Sequence, residues 1–411
     1  MLKSYKNFCW LPIILRSIYA SILLLLTLIL MIGYLSKNTN KYHLTQPSNI
    51  SFAIDLATNY LIRSCDSNGH FLYRVWPDSN KKPKLRYNIL RHSGTIYALA
   101  QAYHRRPNQG IKTTLVKASF YLQSCCLKPL PDHNDMLGVW SLPSINQKQS
   151  PPQIKLGGAG LGLAALISVE RIIPGTISLT KLRKLGRFLL FMQKPNGSFH
   201  SKYIEEKGGR IDRWVSLYYP GEAALGLLML YKLDPSPLWL QAAAKALAYL
   251  IKHRPVETGD QWLLIASAKL LSLKNYPQNI ISKDTVIKYS KLFCEHVMQE
   301  QVRYAYNREY IGGFNRDGRT TPTATRLEGL AAALEIIGDS DPSFRRTVYT
   351  SIEQALYFLL RAQITEGKNS GGMPRAICQL PGQQKFNRRS GEIRIDYVQH
   401  TLSAMIQCEH F

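Results

Sequence analysis

The sequence predicts an all-α fold: an (α/α)6 toroid of six helical hairpins, preceded by one N-terminal transmembrane helix. Three observations carry this. Apolar residues recur at i, i+3, i+4 and i+7 through most of the chain after residue 51, the spacing of amphipathic helices. One unit repeats: an amphipathic helix ending near Gln or Cys, often a Gly-Phe or Gly-Met hook, a loop, then a helix rich in small residues. Before all of this stands an uncharged run, Ser17–Ser36.

Residues 1–16 read as a cytoplasmic N-terminus and 17–36 as a signal anchor. About twenty helical residues cross the ~30 Å hydrocarbon core. A cleaved signal peptide fits less well, because Tyr34-Leu35-Ser36-Lys37 offers no small-residue cleavage site. Lys3, Lys6 and Arg16 precede the span and Lys37 and Lys41 follow it. That balance favours a body outside the cytoplasm, periplasmic or extracellular, on a single-pass protein held in the inner membrane. Residues 37–50 are a polar linker, and 51–411 form the barrel domain.

The first repeat runs Phe52–Cys65, then Gly69-His70-Phe71, then a second helix from Leu90-Arg91-His92-Ser93-Gly94-Thr95. A later one ends at Gln193, hooks through Gly197-Ser198-Phe199, and reopens at Tyr218-Tyr219-Pro220-Gly221-Glu222. The last has Ile352–Gln363, Gly371-Gly372-Met373, and a helix from Arg394 through His400. Further helices are expected near 111–125, 157–172, 237–252, 260–274, 283–302 and 321–338, about twelve in all. Strands are expected only in short loop segments such as Gln153–Leu156. Small-residue second helices suit an inner ring, and first helices with Lys, Arg and Tyr suit the outside. Repeats this short must close on one another to bury a core.

Composition narrows the function. With 45% apolar and 19% charged residues, the body can bury a core and is not of the disordered class. The net charge of +25 attracts anions such as acidic polysaccharide or lipid headgroups. The basic residues are scattered, without zinc-finger spacing or an RNP-like pattern, so nucleic acid is not an expected partner. Seven cysteines, an odd count without a CxxC pair, argue against a zinc ribbon or a thioredoxin-like site. No cofactor or metal is expected.

In such a toroid the inner-helix starts converge on one end of a central cavity, presenting free N–H groups and positive dipole ends. Those starts carry Arg91 and His92, Tyr218, Tyr219 and Glu222, Asp260 and Trp262, Arg326 and Glu328, and Asp396, Gln399 and His400. Glu222, Asp260, Glu328, Asp396 and His400 form the catalytic pool. The carboxylates suit the acid–base pair of glycoside hydrolysis. Arg91, His92, Tyr218, Tyr219, Trp262, Arg326 and Gln399 would bind substrate, the aromatics by stacking on sugar faces. Simpler readings stand beside these. Glu222 and Asp260 also suit first-turn acids complementing the helix dipole. His92 alone also suits a structural role. Asp396 and His400, four apart on one face, read as a dyad or a structural pair. Glu328, in an apolar helix, has no evident local partner. The GGAGLG run at 157–162 lacks the G-x-G-x-x-G spacing of a dinucleotide site and reads as close helix contact. Cys294 and His296, two apart on a helix, make a poor metal site.

The hairpin repeat together with RHSGT, YYPGEAALG, DQW, TATRLEGL and RIDYVQH resembles the six-hairpin glycosidase superfamily over roughly Ser51–Phe411. That resemblance implies a glycoside hydrolase, polysaccharide lyase or sugar epimerase. It carries over no one family's catalytic residues. The first expectation is a carbohydrate-active enzyme, a hydrolase with paired carboxylates acting on an envelope or extracellular glycan, an acidic one given the charge. The second is a uronic-acid epimerase or polysaccharide lyase, with Tyr219, His92 or His400 moving a proton and Arg91 or Arg326 neutralising a carboxylate. The third is a non-catalytic glycan-binding or envelope assembly protein.

Overall fold

A computed structural model describes residues 24–27, 47–77, 87–146, 151–212, 215–304, 308–339 and 341–411. The chain divides into two units, Met1–Asn49 and Ile50–Phe411. In the first, residues 24–27 are helical with exposed side chains; the rest of the expected span Ser17–Ser36 lies outside the described residues. Among the described residues no helix is long and apolar enough to cross a membrane.

Setting aside the one-turn and 3-10 segments, twelve helices are described. Six are outer: α1 Pro47–Arg63, α3 Gln109–Tyr121, α5 Leu179–Met192, α7 Pro237–His253, α9 Lys283–Glu300 and α11 Pro342–Ala362. They alternate with six inner ones: α2 Ile89–Arg105, α4 Leu156–Ile172, α6 Tyr219–Leu233, α8 Gln261–Leu271, α10 Thr320–Ile337 and α12 Ile395–Cys408. Each inner helix packs on the next, α2 to α4 and onward to α12, and α12 packs on α2. The ring is closed. The inner helices are apolar nearly all round, as helices with two buried faces must be; every residue of Leu156–Val169 is buried. The GGAGLG run brings α4 close to α6: a Cβ on Gly160 would lie 2.6 Å from the Glu222 carbonyl, and one on Gly226 2.7 Å from the Gly160 carbonyl oxygen.

The repeated Gln and Gly have a common task. The outer-helix C-caps Gln193, Gln301 and Gln363 donate from Nε2 to carbonyls of the next outer helix, Ala242 at 2.8 Å, Ser351 at 2.9 Å and Ala53 at 2.9 Å. The last of these joins the sixth hairpin to the first. The hook glycines sit beside them on the same neighbours. Gly371 has φ +83°, and a Cβ there would lie 1.9 Å from the Leu56 carbonyl oxygen. Left-handed strain and a clash with rigid backbone then add. Gly371→Ala is expected to cost roughly 2–4 kcal/mol, read as a lowered denaturant midpoint. An unchanged midpoint would show that ring closure does not depend on this contact.

Strand content exceeds the expectation. β1 (Arg74–Val75) pairs with β7 (Ile393–Arg394), tying the first loop to the last. A five-stranded antiparallel sheet joins β2 (Leu127–Leu130), β3 (His133–Ser141), β4 (Gln153–Lys155), β5 (Lys202–Ile204) and β6 (Gly209–Ile211). Sequence periodicity misses β3 because its burial does not alternate: its first five residues are exposed or half-buried and Gly138–Ser141 are all buried. The helix expected at 111–125 ends as a π-turn, Leu122–Cys126.

Candidate active site

The inner-helix starts open onto a cavity of about 610 Å³. Of the residues expected there, Arg91, Tyr218, Tyr219, Glu222, Trp262 and Arg326 line it, as do Asp396, Gln399 and His400. His92, Asp260 and Glu328 do not.

His92 is part of the core. Its Nδ1 pairs with the Tyr87 hydroxyl at 2.7 Å and its Nε2 with the Ala118 carbonyl at 2.9 Å. Tyr87 also accepts from the Phe71 amide, so the hydroxyl proton goes to Nδ1 and Nε2–H donates. Burial holds the imidazole neutral, its pKa pushed down to about 4. Asp260 caps α8, accepting from Leu263 N at 3.3 Å, and its other oxygen meets Arg254. Burial raises its pKa to about 6 against the pull of Arg254.

Glu328 has a partner after all, and it comes from another repeat. Its Oε2 lies 2.9 Å from Nδ1 of His400. A carboxylate only accepts, so Nδ1 bears the proton and Nε2 is left for other chemistry. Burial pushes the His400 pKa down, but the charge and hydrogen bond of Glu328 outweigh it and the net shift is upward. The expected Asp396–His400 pair gives way to this one. Asp396 is instead held by Arg91 at 2.9 Å and Arg394 at 2.7 Å. Burial opposes its ionisation, yet the two guanidinium groups win and its pKa is lowered.

Glu222 contrasts with Asp396. It is 3% exposed, and its Oε2 has no hydrogen-bond partner among the described residues. Burial, with the charge of Asp260 adding, raises its pKa well above the usual carboxylate range. Glu222 thus has no guanidinium to offset its burial, where Asp396 has two. Gly157 makes room for this carboxyl: a Cβ there would lie 1.9 Å from Oε2. Glu222 starts α6 and His400 lies in the first turns of α12, three places round a six-membered ring. A carboxyl whose burial favours its protonated form and an imidazole thus come from opposite inner helices. Trp262 lies edge-on to His400, with ring centroids 6.1 Å apart. Gln399 accepts from the Thr95 hydroxyl at 2.9 Å.

Sequence reasoning passed over four lining arginines: Arg319, Arg375, Arg389 and Arg394. Two had a signal, since Arg319 and Arg394 are the N-cap residues of α10 and α12. Arg375 and Arg389 sit in the aperiodic connection between α11 and α12, where spacing says nothing.

No family model matches this chain, and no curated protein matches it. Solved structures do. A cellobiose 2-epimerase from Spirochaeta thermophila DSM 6192 superposes with a TM-score of 0.62 at 12% identity, over 89% of this chain and 96% of its own. This is the six-hairpin (α/α)6 fold. An alpha-1,6-mannanase from Salegentibacter sp. HEL1_6 gives 0.56 at 11% identity over 87% of this chain and 98% of its own. An unsaturated glucuronyl hydrolase specific for heparin gives 0.58 at 11% identity over 88% and 97%. These neighbours belong to the six-hairpin glycosidase-like superfamily, the one that the hairpin repeat resembles. They are carbohydrate-active enzymes of different reaction classes, so the toroid alone does not choose a reaction.

Proposed function

We propose that this chain is a carbohydrate-active enzyme that moves protons between its own acid–base groups and an acidic sugar, as a uronic-acid epimerase or polysaccharide lyase. The supporting observation is the pairing of unlike groups: buried Glu222, its pKa raised, on one side of the cavity, and His400 backed by Glu328 on the other. Paired-carboxylate hydrolysis needs a second carboxylate ready to act as base or nucleophile. Asp260 is sealed under Arg254, Glu328 lies behind His400, and Asp396 is clamped by two arginines.

In this reading Nε2 of His400 takes the proton from the carbon next to the sugar's carboxylate. Charge moves onto the carboxylate oxygens, where Arg91 and Arg326 stabilise it. Glu222 returns a proton to the opposite face of that carbon, inverting it, or to the leaving glycosidic oxygen, breaking the chain by elimination.

A panel of neutral and uronate-containing glycans tests this. Turnover is expected on the uronate glycans alone, giving an inverted or an unsaturated uronate. Shortened saturated products would favour hydrolysis, and binding without turnover would favour a glycan-binding protein. Tethering by Ser17–Ser36 with the body outside the cytoplasm is part of the same proposal, supported by the uncharged run and its flanking lysines. A periplasm-dependent reporter fused after Phe411 is expected to be active, and cytoplasmic reporter activity would refute that orientation.

A further inference from the structure

The cavity holds more positive charge than one reacting carboxylate needs. Six arginines line it, with Glu222 and Asp396 the lining acids among the described residues. The surplus is local. Arg91 and Arg394 share Asp396, while Arg74, Arg389 and Arg394 share Glu392. Arg375 has no acidic partner among the described residues. Arg319 holds an acid of its own, Asp317, at 2.7 Å, so in this corner six guanidinium groups meet three carboxylates.

Backbone pairing holds the surplus in place. Arg319 bridges to Ala376 and Pro374 bridges to Ile393. The Arg375 amide donates to the Glu392 carbonyl at 2.8 Å, and the Arg375 carbonyl accepts from Thr320 N at 3.1 Å. Arg319, Arg375 and Arg389 thus come from neighbouring segments of one small plate. Arg375 lies over the ring of Phe386 at 4.6 Å, which fixes the guanidinium plane. Its Nη1 is buried without a hydrogen-bond partner among the described residues. An oriented, half-buried cation with a spare donor suits a planar or tetrahedral oxyanion.

We infer that Arg319, Arg375 and Arg389 form a second anion seat, so that the substrate is a polyanionic glycan with a carboxylate or sulfate on a sugar beside the reacting one. This rests on the cavity being a glycan site but not on the reaction carried out there.

The test is calorimetric titration of the full-length protein with size-matched oligosaccharides: neutral mannan fragments, uronate-only fragments, and sulfated uronate fragments. Both anionic sets are expected to bind more tightly than the neutral set. Arg375→Ala should weaken the anionic ligands about 10- to 100-fold and leave neutral binding unchanged. Arg375→Lys, which keeps the charge, should recover part of the loss. Greater loss with the sulfated set assigns the seat to sulfate, and equal loss assigns it to carboxylate. Should Arg375→Ala fail to fold, the double variant Arg319→Ala/Arg389→Ala, on partly exposed side chains, gives the same readout. Equal affinity for neutral and anionic ligands, or equal losses for both, would overturn the inference. Binding as described with no turnover would refute the proposed reaction and leave this seat standing.

Discussion

Glu222→Gln should abolish turnover and stabilise the protein. Burial favours the protonated carboxyl, so Gln keeps its shape and neutrality but has no proton to give. Loss of a positioned general acid costs about 10²–10⁴-fold in kcat. The stability effect has the opposite sign. The folded pKa of Glu222 is raised above its unfolded value, so between the two the folded state binds more protons. Stability then falls as pH rises above the unfolded glutamate pKa, near 4.3. Gln removes that fall. The variant should therefore unfold at a higher temperature than wild type at neutral pH, the difference vanishing below about pH 4. Equal activity, or a variant less stable at pH 7, would mean that Glu222 is an ionised structural group.

Glu328→Gln should act on the reaction through His400. The wild-type carboxylate fixes the proton on Nδ1 and raises the imidazole pKa. Gln removes the charge and can present its amide to Nδ1, which favours the wrong tautomer. A comparable loss of the orienting carboxylate behind a catalytic histidine costs on the order of 10⁴-fold; here a fall of roughly 10²-fold or more in kcat is expected, with KM near wild type. The acid limb of the pH–rate profile should move to lower pH, because the base titrates lower without its carboxylate. Stability follows the same linkage. A histidine with a raised folded pKa contributes stability that is fully present below its unfolded pKa of about 6.5 and lost as pH rises through the folded one. Glu328→Gln should flatten that loss. A lower melting temperature with kcat and pH profile intact would make Glu328 a packing residue.

The hairpin repeat was legible because closure demands it locally. Small residues in TATRLEGLAAALEII let α10 pack on two sides, and the Gln and Gly hooks recur because each seats on the next outer helix. The cavity-facing helix starts were legible for the same reason: a polar residue amid small apolar ones stands out. Pairing between repeats was not. His400 lies four residues from Asp396 yet bonds Glu328, 72 residues away, and no local period encodes which inner helix meets which. His92 and Asp260 drew attention as polar residues at inner-helix starts, but a backbone carbonyl and an arginine absorb them. The arginine plate and β3 lie in connections whose form is set by tertiary contacts.

Solvent exchange reads proton transfer at a sugar carbon directly. Wild-type protein and a uronate-containing glycan are incubated in D2O and the sugar is examined by NMR. Deuterium is expected at the carbon next to the carboxylate, in an epimerised product, or an unsaturated uronate where elimination follows. Both should disappear in Glu222→Gln. Shortened, saturated chains with no deuterium on that carbon would rule out proton transfer there and return the cavity to hydrolysis.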